Sequence, residues 1–99
     1  MPTVAETLGR FALRLSAGDV PDDVVLLAKG HFLDTFWIAL ASPRTDFGAA
    51  AHAAGRTLGV GDEATALGFG TRLPAASAAL GNGTLAHGLD FDDTHVEAN

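Results

Sequence analysis

The sequence contains no cysteine among its 99 residues. A disulfide framework and a zinc site built on thiolates are therefore both excluded. The zinc-protease pattern His-Glu-x-x-His is also missing. Neither a small disulfide-stabilised domain nor a common zinc enzyme fits this chain.

Basic residues are scarce. Six Lys and Arg stand against twelve Asp and Glu, which gives a net charge of −6, and no basic residue follows Arg72. Nucleic acids and anionic membrane surfaces require clustered positive charge, so neither is expected as a partner. A site for an anionic substrate would have to take its positive groups from elsewhere.

The N-terminus, MPTVAETLGRF, lacks the basic and then apolar stretches of a signal peptide. The longest apolar stretch runs from Val24 to Leu40 and is interrupted by Lys29, His31 and Asp34. This pattern predicts a segment that is too short and too polar to span a bilayer. We therefore expect a cytoplasmic protein that does not enter a membrane.

The apolar content that is present, 47% of the residues, is patterned mainly for helices. Thr3 and Glu6 form a capping-box pattern, and Gly18 is a candidate for the residue after the first helix. The predicted fold class is mainly α, with about four helices and one short strand. The helices are expected at about Val4 to Leu15, Pro21 to Ala41, Asp46 to Leu58 and Ala75 to Leu89, and the strand from Ala64 to Phe69.

Two of these elements need partners. The second helix is apolar nearly all round, which is typical of a helix buried within a body larger than 99 residues. A lone strand leaves its backbone groups unpaired, so its partner is expected from another part of the protein.

The chain also stops at Asn99, directly after its densest group of titratable residues. Residues 1–99 are therefore expected to be a fragment of a larger protein.

That group is HGLDFDDTH, from His87 to His95. An EF-hand loop beginning at Asp90 is excluded, because His95 would stand where glycine is required. An aspartate-rich magnesium–diphosphate motif fits loosely, since Val96 replaces the final acid. We predict no metal site here and keep a magnesium-dependent enzyme as an alternative.

Helical spacing suggests a use for the group. If the fourth helix continues through it, His87, Asp90 and Thr94 lie on one face, while Asp92 and Asp93 point away. An imidazole, a carboxylate and a hydroxyl on one face can move protons and hold a polar substrate. The alternative is that the acids only solvate a helix end.

Three segments resemble the MmgE/PrpD family in the correct order and spacing. LPAASAALGNGTLAHGLDFDDTH, from Leu73 to His95, is similar to the family signature, which reads close to ANGTxAHxLDFDDTH and is followed shortly by His-Pro. AKGHFLDTFWIALAS and GDEATALGFGTRLPA are similar to two earlier family segments. One departure is Phe36-Trp37, where the family usually has small residues.

The resemblance implies cofactor-free enzymes that act on small di- and tricarboxylates, such as 2-methylcitrate dehydratase, cis-aconitate decarboxylase and iminodisuccinate epimerase. It implies a large helical domain with a smaller α+β lid, usually in homodimers, of which residues 1–99 would be the N-terminal portion. Asp90 and Thr94 match pocket residues of the family and are the expected catalytic residues. His87 and His95 are expected to bind substrate, with packing or loop roles as their alternatives.

The expected function is a lyase or isomerase for small polycarboxylates, with the 99-residue chain inactive by itself. The alternative from another class is a helical binding or regulatory module without chemistry. The sequence that follows Asn99 would separate these two, and survival of activity in EDTA would separate the first from a magnesium enzyme.

Overall fold

The computed structural model describes residues 1–92. The predicted mainly helical class is confirmed. The chain forms two compact units, Met1–Gly30 and His31–Asn99, with their boundary inside the second helix. The elements are α1 (Val4–Arg14), α2 (Asp22–Ala41), α3 (Asp46–Thr57), β1 (Ala64–Ala66), β2 (Thr71–Leu73) and α4 (Ala75–His87), with short 3-10 turns at Ala17–Asp19 and Ser42–Arg44.

Helix α1 begins at the predicted capping box. Thr3 Oγ1 accepts a hydrogen bond from the Glu6 N–H at 3.2 Å, and Glu6 Oε2 accepts one from the Thr3 N–H at 2.8 Å. The role predicted for Gly18 is wrong, because α1 is capped by Leu15 and Gly18 lies inside the following 3-10 turn. Two local capping motifs therefore organise the start of the chain.

The second motif joins Ser16 and Asp19. Asp19 Oδ2 accepts hydrogen bonds from the Ser16 hydroxyl at 2.6 Å and from the Ser16 N–H at 3.0 Å. These bonds, the hydroxyl bond first, hold the pKa of Asp19 below its ordinary value. They stabilise the ionised carboxylate more than the neutral acid, so this contribution is lost as the pH falls through the pKa of Asp19.

Helix α2 is long, apolar and almost wholly exposed. Only Ala39 among its twenty residues is buried, whereas Trp37 is 62% exposed. The segment Asp22–Arg44 is long and apolar enough to cross a membrane by length and composition alone, with a hydropathy of 1.5. The prediction that it is too short and too polar is therefore wrong on this criterion, although core helices of soluble proteins meet the same criterion.

The most buried residues of the second unit include Ser42 and Leu85. Ser42, which is fully buried, directly follows α2 and places its Oγ 2.8 Å from the carbonyl oxygens of both Ile38 and Leu85. Leu85 of α4 is 2% exposed. The Ser42 hydroxyl lies within hydrogen-bonding distance of both carbonyl oxygens, and it thereby links the end of α2 to α4.

The prediction that the strand finds no partner within this chain is wrong. β1 ends at Ala66 and pairs antiparallel with β2, in the register Ala64 with Leu73 and Ala66 with Thr71. The chain reverses through Gly68 and Gly70, whose φ angles of 74° and 62° favour glycine. The strand therefore finds its partner, β2, five residues later in the chain.

Asn82 of α4 fastens this hairpin. Its Oδ1 accepts from the Leu67 N–H at 2.9 Å, and its Nδ2 donates to the Thr65 carbonyl at 2.9 Å. Beneath it, Ala66, Leu73 and Ala78 form a small buried cluster. The amide thus satisfies two backbone groups that a two-stranded sheet leaves unpaired.

Asn82→Ala should lower the free energy of unfolding of the second unit by about 1–3 kcal/mol, because two hydrogen bonds are lost, each worth about 0.5–1.5 kcal/mol, and the Leu67 N–H is partly buried. Gly83→Ala is the matched control. A Cβ at position 83 meets nothing within 4 Å, so this helical substitution should raise stability by roughly 0.5–1 kcal/mol. Chemical unfolding followed by circular dichroism measures both. Equal stabilities of Asn82→Ala and the parent chain would contradict the assigned role.

Candidate functional site

Helix α4 stops at the first histidine of the titratable group. Its last residue is His87, and the C-cap Gly88 donates its N–H to the Thr84 carbonyl at 2.9 Å. The Asp90 N–H then donates to the His87 carbonyl at 2.8 Å, which closes a turn. The helix does not continue through the group, so the condition for one helical face containing His87, Asp90 and Thr94 is not met.

The reversal depends on Asp90 and Gly88. Asp90 has a φ of 58°, a left-handed conformation that aspartate tolerates better than most residues. At Gly88, a Cβ would overlap the ring of Phe47 from α3. The aromatic ring thus packs directly on the backbone where α4 ends, and α3 fixes the place at which the chain turns back.

The turn brings Asp92 to His87. Asp92 Oδ2 lies 2.6 Å from His87 Nδ1, a short and charge-assisted contact. The expectation that Asp92 points away from His87 is wrong, because it assumed a continuous helix. Gly88 was the available signal, since glycine directly after a helical pattern commonly marks the helix end.

Of the four predicted site residues, the structure describes His87 and Asp90. Both are exposed, His87 at the end of α4 and Asp90 in the turn. Thr94 and His95 lie outside the described residues. The catalytic and substrate-binding roles of all four therefore remain predictions.

An open groove runs along α4 and reaches His87. Its walls are mostly apolar, and the Phe47 ring forms part of them; the lining residues are Phe47, Ala79, Leu80, Gly83, Thr84, His87 and Gly88. The opposite side of α4, with Ser77, Ala78 and Leu85, is buried. Ala79 and Gly83 lie on the exposed side of α4.

His52 of α3 packs against the hairpin. Its ring stacks on Phe69 at a centroid distance of 3.9 Å and an interplanar angle of 6°. Nε2 lies 3.5 Å from Thr71 Oγ1, whereas the buried Nδ1 has no hydrogen-bond partner. The cavity beside it is lined mainly by apolar side chains, so this histidine joins α3 to the hairpin.

Metal ligands are not clustered in the described part of the chain. Within residues 1–92, no group of three or more His, Cys, Asp or Glu side chains is placed to hold a metal ion. Among these residues, His87 and Asp92 contact each other. The described part of the site is an exposed contact between an imidazole and a carboxylate at the end of α4.

The comparison with known families covers nearly the whole chain. The family model for the MmgE/PrpD N-terminal domain matches residues 6–99. No curated protein and no solved structure matches the chain. The matched region begins in α1 and includes the entire turn that pairs His87 with Asp92.

Proposed function

The chain belongs to the MmgE/PrpD family, and we propose that it is the N-terminal portion of a cofactor-free lyase or isomerase acting on small di- or tricarboxylic acids. Dehydration of a 2-methylcitrate-like acid and decarboxylation of a cis-aconitate-like acid are the two reactions we favour, with epimerisation as a third. The observation that carries the proposal is the family match across residues 6–99, including the HGLDFDDTH segment.

The chemistry that these reactions share is proton or carbanion character at a carbon beside a carboxylate. It requires a positioned acid or base and groups that stabilise the developing charge. His87 supports the first requirement, because its side chain is 74% exposed and is held through one ring nitrogen. The other ring nitrogen is then available to exchange a proton with a substrate.

Asp90 and Thr94 are proposed to line the same pocket, as the family resemblance implies. An ionised Asp90 repels a polycarboxylate unless positive groups lie nearby. No Lys or Arg follows Arg72 in this chain. We propose that the neutralising groups come from another part of the complete enzyme, which acts as a cytoplasmic homodimer.

The test is an assay of the natural-length protein that contains this chain. The substrates are 2-methylcitrate, cis-aconitate and iminodisuccinate, each assayed with and without EDTA. Turnover of one acid that survives EDTA supports the proposal. Failure to turn over any of the three would refute it, and activity lost in EDTA and restored by Mg²⁺ would favour the magnesium-dependent alternative.

The isolated 99-residue chain should be inactive on all three acids. At about 4 Å, each like-charge contact with a carboxylate costs roughly 1 kcal/mol in water and several times more where partly buried. The donors that stabilise transition-state charge would lie outside the chain. Purified chain is compared with an Asp90→Asn version in the same assay. Turnover in the parent that is missing from the variant would identify the chain as a complete catalyst and contradict this prediction.

A further inference from the structure

We propose that Asp92 is a positioning residue that holds the His87 imidazole as its Nδ1–H tautomer and leaves Nε2 as the proton acceptor. Neither helical spacing nor the family resemblance gave Asp92 a role. The proposal stands on the contact between Asp92 Oδ2 and His87 Nδ1 at 2.6 Å. Its proton-transfer part rests on the proposed function, whereas the tautomer does not.

The first step is the chemistry of the contact. A carboxylate accepts hydrogen bonds and donates none, so a neutral imidazole facing it at this distance must present an N–H. Nδ1 therefore carries the proton, and the lone pair lies on Nε2. A carboxylate partner on one ring nitrogen commonly sets the tautomer and orientation of a histidine in this way.

The second step is that the fold, not chance contact at a surface, brings the carboxylate to the ring. The Asp90 N–H binds the His87 carbonyl at 2.8 Å, and the left-handed φ of Asp90 turns the chain back. Gly88 lies between these two residues in the chain. The Phe47 ring packs on Gly88 and leaves no room for a side chain there. The turn from His87 to Asp90 is thus held by a backbone hydrogen bond, and Asp92 follows two residues later.

The third step is access. The side chains of His87 and Asp92 are 74% and 47% exposed, so the pair is open to a ligand. His87 also lies at the end of the apolar groove along α4. A proton acceptor at the end of such a groove can meet a substrate carbon without first giving up its own hydrogen bond to Asp92.

The test uses ¹⁵N-labelled histidine in the 99-residue chain. Long-range ¹H–¹⁵N spectra at alkaline pH distinguish the two neutral tautomers, and loss of signals in His87→Gln assigns the ring. Wild type should show mainly Nδ1–H. Asp92→Asn should reverse the preference to mainly Nε2–H, because an amide can donate to Nδ1. Circular dichroism checks that each variant keeps its helices.

Asp90→Asn is the matched control, because asparagine also tolerates the left-handed conformation. It should leave the His87 tautomer unchanged. A wild-type ring that is mainly Nε2–H, or an unchanged tautomer in Asp92→Asn, would overturn the proposal. An equal reversal in Asp90→Asn would also overturn it, since the effect would not belong to Asp92.

In the natural-length enzyme, Asp92→Asn should lower kcat with little change in KM, and Asp92→Glu should restore part of the loss. Such a carboxylate is worth about 10⁴-fold where it is buried. Because Asp92 is 47% exposed, we expect a loss nearer tenfold in order of magnitude. A reversed tautomer with unchanged kcat would overturn the catalytic part, while an inactive wild type with the expected tautomers would refute the proposed function and leave the contact standing.

Discussion

Replacing His87 with glutamine is expected to lower the kcat of the natural-length enzyme by on the order of 10²–10⁴-fold, the usual contribution of a positioned proton-transfer group. Glutamine retains a polar side chain of similar reach but cannot exchange a proton near neutral pH. The exposed position of His87 at the end of α4 means that little packing is lost. The steady-state rate on the best of the three acids is the measurement.

His31→Gln is the matched control, because His31 is an exposed histidine on α2. It should change kcat by less than about twofold, because His31 is an exposed residue outside the HGLDFDDTH segment and conservative surface replacements usually have small effects. Equal losses in both variants would indicate a general effect of losing an imidazole and would remove His87 from the proposed mechanism.

The loss of kcat in His87→Gln can also be compared with the losses in Asp90→Asn and Asp92→Asn. On a continuous helix, His87 and Asp90 would act from one face, and Asp92 would matter little. The observed turn instead gives His87 a partner in Asp92 and places Asp90 in a left-handed conformation beside them. We therefore expect measurable losses at all three positions.

Local signals predicted the helices well because they act over a few residues. The Thr3–Glu6 capping box depends on bonds within one turn and lies where the sequence places it, and α2 ends at Ala41 as predicted. The end of α4 was predicted two residues too late. The apolar pattern continues through Leu89, but the Phe47 ring against Gly88, a tertiary contact, determines where the chain reverses.

The hairpin and the His87–Asp92 pair could not be read from periodicity. A strand of three residues carries too little alternation to be recognised, so β2 is not predicted from the sequence. The His87–Asp92 pair depends on the left-handed backbone conformation of Asp90, which helical spacing cannot predict. Chemistry and family resemblance were thus enough to name the candidate residues, but their arrangement could be seen only in the structure.

The isolated chain is expected to self-associate through α2. Nineteen of the twenty residues of α2 are not buried, and its exposed apolar side chains include Leu26, Leu33, Phe36 and Trp37. Such large exposed apolar surfaces commonly mark contact sites. Burying one tryptophan of about 150–250 Å² at roughly 25 cal/mol per Å² is worth at most about 4–6 kcal/mol, enough for association at micromolar concentrations when several such residues contribute.

Sedimentation equilibrium over a hundredfold range of concentration measures the effect, and the mean mass should rise with concentration. Leu33→Lys combined with Trp37→Lys should shift the association constant by at least tenfold toward the monomer, because each charge would have to be desolvated in the contact. Arg10→Lys, an exposed substitution on α1 that conserves charge, should leave it unchanged. A parent chain that stays monomeric across the range would contradict the prediction. Partitioning of the chain onto neutral lipid vesicles through Asp22–Arg44 would also contradict it, because that outcome is expected of a membrane-crossing segment.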